Sequence, residues 1–303
     1  MLRKIIKVLK DPKLLFLALD YHGFFRTMSD ERNIRIKYWL RTGRKLNLDN
    51  PARFNEKLQW IKLFDRRPEY STMADKYLVR EYITEKLGDK YLIPSLGVWD
   101  RVEDIDFTKL PEQFVLKCNH DSGSVVICRD RSCFDKQAAM KKLNKGLKRN
   151  GFWFGREWPY KNIQPRIIAE KCMTDESGTE LKDYKVMCFD GKAKLIQIHR
   201  GRYKAHTQDF YDTDWKRLDI YQGCDQSETL MEKPAFLQDM LELSEKLAEG
   251  IPHVRVDWYY VEGQLYFGEL TFFDASGFDE FEPDHYNELL GSWITLPQKN
   301  TKE

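Results

Sequence analysis

The stretch HVRVDWYYVEGQLYFGELT, residues 253–271, constrains this chain more than any other. Two runs rich in β-branched and aromatic residues flank Glu262-Gly263-Gln264, the pattern of a β-hairpin. A three-residue connection with Gly263 in the left-handed region sets Asp257 opposite Glu269 and Arg255 opposite Thr271. Side chains alternate faces along a strand, so these four residues share one face. Two carboxylates side by side repel and call for a cation. A divalent ion such as Mg²⁺ suits hard oxygen donors, and the neighbouring arginine completes a site for a metal-bound polyphosphate. The ordinary alternative is a solvent-facing hairpin with scattered charges. The apolar and aromatic surround argues against it, because buried charge is costly unless compensated.

A chain of 303 residues is long enough for one large or two modest domains with a substantial core. Its 42% hydrophobic and 32% charged residues are those of a globular protein. A net charge of only +2 gives no reason to expect a nucleic-acid partner. Cys118, Cys128, Cys133, Cys172, Cys188 and Cys224 form no CxxC pair, and the histidines show no HxxxH or HExxH spacing. Scattered thiols of this kind fit a reducing cytoplasm better than a disulfide frame or a zinc site. Met1 to Leu19 mixes Arg3, Lys4, Lys7, Lys10 and Lys13 with leucine and isoleucine, without an apolar run of spanning length. It reads first as a basic amphipathic helix packed on the domain. The alternative is docking on the anionic inner face of a membrane.

Helical patterns follow from Ser29 to Gly43, from Asp49-Asn50-Pro51 to Phe64, and from Ser71 to Gly88. Asn55, Glu56 and Lys57 fall on the polar side of the second helix. Strands are predicted over 114–119 and 125–128, joined by the polar turn His120 to Ser124. A Walker loop leads from a strand into a helix with GxxxxGK[ST]. This loop joins two strands, so it reads either as a plain hairpin or as a phosphate cover with Lys117 on its leading strand. A helix over 134–150, a strand over 166–172 and an amphipathic helix over 234–250 complete the outline. Asp190-Gly191 marks a two-residue hairpin turn. Its register pairs Phe189 with Lys192 and Lys185 with Ile196. That places Asp183, Lys185 and Arg200 on one face and His199 on the other.

In order along the chain stand FNEKLQW, DKYLVREY, LPEQFVLKCNHDSGSVVI, IIAEKCM, DYKVMCFDGK, HVRVDWYY and FGELTFFDASG. Each is weak alone. Together, over roughly residues 30–297, they resemble the ATP-grasp proteins of the teichuronopeptide-biosynthesis (TupA)-like type, found among bacterial surface-polysaccharide genes. The resemblance implies an α+β protein: the ATP-grasp fold, two antiparallel-sheet α+β subdomains behind a helical amino-terminal region. The expected layout is helical over 1–72, a first subdomain over 73–169, a second over 170–297, and a tail over 298–303.

The resemblance also implies roles. Lys76 and Lys117 reach ATP phosphates, and His120, Ser122, Gly123 and Ser124 lie in the loop that closes over them. Glu170, Lys171 and Met173 resemble the hinge beside adenine, with Glu176 near the ribose. Asp183 and Lys185 lie in the hairpin whose basic residue faces the triphosphate. Lys185, Arg200 and Arg255 stabilise the transferring phosphoryl group. Asp257 and Glu269 match the Mg²⁺ carboxylates, with Thr271 where many ATP-grasp enzymes carry asparagine. The second metal position therefore stays open, and so does the acceptor site.

The activity implied is a Mg-ATP-dependent carboxylate–amine ligase working through an acyl phosphate. It would attach an amino acid or short peptide to a uronic-acid-containing surface polysaccharide or its precursor, at the cytoplasmic side of the cell envelope. A sugar kinase on the same fold and a glycosyltransferase-associated assembly protein are the competing readings.

Overall fold

The structure is a computed structural model that describes residues 12–175, 181–201 and 206–299. Its strands form two antiparallel sheets. The smaller runs β1-β4-β2-β3, with β1 Ser95–Trp99, β2 Phe114–Cys118, β3 Val125–Cys128 and β4 Ile167–Lys171. The larger runs β10-β9-β5-β6-β7-β8, with β5 Asp183–Phe189, β6 Lys192–Arg200, β7 Thr207–Tyr211, β8 Arg217–Leu218, β9 His253–Val261 and β10 Gln264–Thr271.

The first helices, α1 Pro12–Tyr21 and α2 Asp30–Thr42, lead into α3 Phe54–Phe64, α4 Glu69–Ala74 and α5 Val79–Leu87. Leu58, Ile61, Tyr70 and Ile83 from these helices join Val186, Ile196, Val256 and Leu270 of the larger sheet in one core. Helix α6, Lys136–Leu147, covers the smaller sheet around Leu116, Leu143 and Ile167. Helix α7, Phe152–Gly155, is a single turn; α8, Leu237–Leu247, packs on the larger sheet; α9, His285–Ser292, packs against α3.

Several elements depart from the sequence reading. Helix α3 starts at Phe54 rather than at Pro51, because the Glu56 carboxylate accepts the backbone N–H groups of Ala52 at 3.0 Å and Arg53 at 3.2 Å. Its polar side is not solvent-facing: Asn55, Gln59 and Lys62, at helical spacing, are wholly buried. The helix expected from Ser71 to Gly88 breaks at Asp75. Asp75 Oδ1 accepts the N–H groups of Tyr77 at 2.8 Å and Leu78 at 3.3 Å, starting α5 afresh and leaving Lys76 in the break between the two helices. Strands β7 and β8 were not anticipated.

The two hairpins of the larger sheet depart more subtly. The β9–β10 connection has two residues, Glu262 at φ 51° and Gly263 at φ 82°, so Val261 pairs with Gln264. A bulge at Gly268 then shifts the ladder by one, and Asp257 still faces Glu269 as Arg255 faces Thr271. In β5–β6 the Asp190-Gly191 turn pairs Phe189 with Lys192 as expected. A bulge at Lys194 then sets Lys185 opposite Gln197, not Ile196. Beyond that bulge the faces exchange: His199, opposite Asp183, shares the face of Lys185, and Arg200 does not.

Candidate active site

The smaller sheet contributes Lys117 and Glu170. Lys117 Nζ lies 2.6 Å from Glu170 Oε2, and Arg80 Nη1 lies 3.8 Å from Glu170 Oε1. The three residues form one charged cluster at the smaller sheet. Lys171 is exposed at the end of β4, and Met173 is half-buried just beyond it. Glu176 lies outside the described residues.

The loop from β2 to β3 is divided in its behaviour. Ser122 and Gly123, the latter at φ 107°, form an exposed tip. His120 and Ser124 turn inward. The His120 ring nitrogens lie 3.1 Å from the Arg149 carbonyl and 3.2 Å from Asn119 Oδ1, and burial lowers its pKa. Ser124 Oγ donates to the Asp121 carboxylate. In this arrangement neither side chain points at the cleft.

Lys76 bridges the two sheets. Its ammonium donates to the Asp121 carbonyl of the loop at 3.2 Å and pairs with Glu269 Oε2 at 3.1 Å. The break at Asp75 makes this reach available.

On the larger sheet, the Arg255 guanidinium grips Asp257 with two bonds, Nε to Oδ1 at 2.7 Å and Nη2 to Oδ2 at 2.9 Å. Its Nη2 also donates to Thr271 Oγ1 at 3.1 Å and lies 3.5 Å from Glu269 Oε1. Its Nη1 donates to Asp274, which stands in the FGELTFFDASG motif but to which the sequence assigns no role. Lys185 Nζ sits between Asp257 and Asp183, 3.2 Å from the latter. Four carboxylates thus meet three cations on one floor. Burial raises the Asp257 pKa against the pull of Arg255 and Lys185. Burial would also raise that of Glu269, but Lys76, Lys185 and Arg255 together hold it well below the usual carboxylate range.

Arg200 is a correction. By register it faces away from Lys185, where it pairs with the buried Asp209 and donates to the Thr229 carbonyl at 2.6 Å. The bulge at Lys194 is the reason.

The residues present suit a magnesium ion. Mg²⁺ is held by one or two carboxylates with substrate phosphates and water rather than by a closed protein cage. Asp257 and Glu269 face each other in register, with the Thr271 hydroxyl donating to Glu269 Oε1 at 3.2 Å. No larger group of metal-ligating side chains occurs among the described residues. Lysine and arginine occupy the carboxylate oxygens, as counter-charges that a metal would replace.

Two antiparallel α+β units, joined across a cleft by a lysine and floored by paired carboxylates, define the ATP-grasp architecture. The chain belongs to one of its families: the family described as TupA-like ATPgrasp matches residues 56–295. Solved structures similar to it include D-alanine–D-alanine ligase from Bacillus anthracis complexed with ATP. That structure shares 18% identity at a TM-score of 0.41, over 66% of this chain and 55% of that one. The corresponding ligase from Helicobacter pylori shares 15% at 0.40, over 74% and 61%. A RimK domain ATP-grasp protein from Sphaerobacter thermophilus shares 11% at 0.41, over 73% and 66%. The chain therefore spans 55–66% of the length of these three. No curated protein matches it in sequence.

Proposed function

We propose that the protein is a Mg-ATP-dependent carboxylate–amine ligase that works through an acyl phosphate. The observation that carries this reading is the β9–β10 face, where Asp257 and Glu269 meet in register beside Arg255, with Lys76 arriving from across the cleft. Membership of an ATP-grasp family supports it. Asp257 and Glu269 would hold the magnesium ion, which would supply counter-charge to the phosphates.

The chain's own residues supply the rest. Lys117 on the smaller sheet and Lys76 beside the covering loop hold the phosphates in place. Arg255 and Lys185 meet the charge on the transferring phosphoryl group, where preorganised donors act most strongly. Both oxygens of Asp257 are engaged by Arg255 and Lys185, so nucleotide binding requires Lys185 to leave Asp257 for a phosphate oxygen. A carboxylate approaching the γ-phosphate is an anion meeting an anion, and these cations screen it.

For substrates, we propose a uronic-acid-containing surface polysaccharide or its precursor and an amino acid or short peptide. The support is the likeness of the sequence motifs to the polysaccharide-linked subfamily. A cytoplasmic location at the inner face of the membrane follows from that substrate. No described helix is long and apolar enough to cross a membrane. Peripheral contact through the basic amino-terminal region is supported by the exposed aromatic side chains of Tyr21, at the end of α1, and Phe24 just beyond it.

The test is a screen of uronic acids with amino acids and short peptides in the presence of Mg-ATP, reading phosphate release and product mass. Amide formation with release of phosphate supports the ligase. A phosphorylated sugar without any amine requirement overturns it in favour of a kinase.

A further inference from the structure

Immediately after the metal strand the backbone makes a turn that costs energy. Ala275 stands at φ 46° and Ser276 at φ 55°, followed by Gly277 at φ 65°. Left-handed backbone is unfavourable for every residue other than glycine. Such strain persists only where the surroundings impose it, and it gathers at functional sites.

Here the surroundings are the buried polar stripe of α3. Gln59 Nε2 donates to the Ser276 carbonyl at 3.1 Å and the Gly277 carbonyl at 2.7 Å. Lys62 Nζ donates to the Ser276 carbonyl at 2.8 Å, and Asn55 Nδ2 to the Asp279 carbonyl at 2.6 Å. With its carbonyl bound on this side, Ser276 turns its hydroxyl to one partner, the carboxylate of Glu157.

Glu157 lies in the segment between α7 and β4, which no part of the phosphate machinery uses. The packing there is close: a Cβ on Gly155 would come within 2.7 Å of Ser276 Cβ and 2.9 Å of Glu157 Oε1. Glu157 is half-buried, and its second oxygen, Oε2, accepts no hydrogen bond among the described residues and is not sealed from solvent. Burial raises the pKa of its carboxyl, against the pull of Lys62 and of the Ser276 hydroxyl. Ser276 stands two residues past Asp274, which accepts from Arg255, so its partner Glu157 lies on the Asp274 side of the catalytic floor.

We propose that Glu157, fixed by Ser276, is the residue that receives the incoming amine. This rests on the ligase reading. The second substrate arrives as an ammonium ion, and it needs a carboxylate close to the phosphoryl-transfer floor but not committed to metal or nucleotide. Glu157 Oε2 takes one proton from the ammonium. The freed nitrogen lone pair forms the C–N bond to the acyl carbon as the C–O bond to phosphate breaks, and the second proton leaves with the phosphate. Ser276, Gln59 and Lys62 are positioning residues.

Two measurements on the full chain with a non-hydrolysable ATP analogue and Mg²⁺ test this. In the first, glycinamide, a small cationic amine without a carboxylate, is titrated by saturation-transfer NMR. Saturable binding that weakens at least tenfold in Glu157→Gln and is largely retained in Glu157→Asp is expected. No saturable binding to the unaltered protein, or equal binding in Glu157→Gln, overturns the proposal. In the second, the substrate pair found by the screen is used with ATP. Glu157→Gln is expected to raise KM for the amine at least tenfold, leave KM for ATP and for the carboxylate unmoved, and be rescued by hydroxylamine, which is neutral near pH 7. A uniform fall in kcat with unchanged KM for the amine overturns it. A phosphorylated sugar as product would remove the ligase reading, whereas the glycinamide titration decides the ammonium site separately.

Discussion

Lys76 Nζ lies 3.1 Å from Glu269 Oε2, a contact between the break after α4 and the last strand of the larger sheet. The same ammonium holds the Asp121 carbonyl of the loop over the phosphates. Replacing it by methionine cuts both ties and leaves Glu269 with less positive charge around it. Lys76→Met is expected to weaken binding of a non-hydrolysable ATP analogue by roughly tenfold, about 1.4 kcal/mol. Calorimetric titration measures this, and unchanged affinity would remove Lys76 from the phosphate site.

Asp257→Asn and Glu269→Gln keep the shape of the paired side chains while removing their charge. Each is expected to abolish Mg-ATP turnover with the circular dichroism spectrum preserved. Turnover at the unaltered rate in either folded variant would show that the metal is held elsewhere.

Lys117→Ala leaves Glu170 facing Arg80 at 3.8 Å as its remaining cation. Nucleotide affinity is expected to fall roughly tenfold, about 1.4 kcal/mol, while the melting temperature moves little, since Arg80 still compensates the carboxylate. Equal affinity by calorimetry would sink the assignment.

Gly268 is the bulge that restores Asp257 to Glu269. A Cβ there would meet the Asp257 carbonyl at 3.0 Å and the Tyr259 ring at 3.1 Å. Gly268→Val is expected to cost about 1–3 kcal/mol of stability, as overpacking does, and to lower turnover further than that loss explains. Denaturant unfolding and kinetics on the same samples separate the two effects.

His253 is buried against Phe54, ring centroids 5.0 Å apart, and burial lowers its pKa from 6.5 to about 4. Between those values the unfolded chain binds more protons than the folded one, so stability rises with pH across this window. Its contribution is complete above about pH 6.5 and is lost as pH falls toward 4, by at most about 1.4 kcal/mol per pH unit. His253→Phe is expected to flatten the difference in unfolding free energy between pH 5 and pH 7. An unchanged slope would show that other groups set it.

The alternation of β9 and β10 was legible in the sequence, and so was the meeting of Asp257 with Glu269. The route was not: a shorter turn and a bulge cancel, and only Gly268, a glycine inside a strand, signals the second. Lys194 carries no such signal, so the bulge that turns Arg200 away could not be read. The motifs single out Lys76 and Lys117, which the fold pairs with Glu269 and Glu170. Glu157 and the buried stripe of α3 were missed for one physical reason: their partners lie more than a hundred residues away along the chain, and local periodicity marks a polar stripe as solvent-facing whenever its partner is distant. Asp274, 19 residues from Arg255, stands inside the FGELTFFDASG motif but was given no role.

That stripe has a consequence for how the chain can be divided. Asn55, Gln59 and Lys62 saturate carbonyls of the turn that follows the last strand, so α3 is a structural organ of the carboxyl-terminal lobe although it precedes the first lobe in the chain. A fragment beginning after residue 72 would leave those carbonyls bare and the left-handed turn without its restraint. The amino-terminal helices are thus no detachable module: inheritance, truncation or fusion of this fold has to carry them along with the strands they serve.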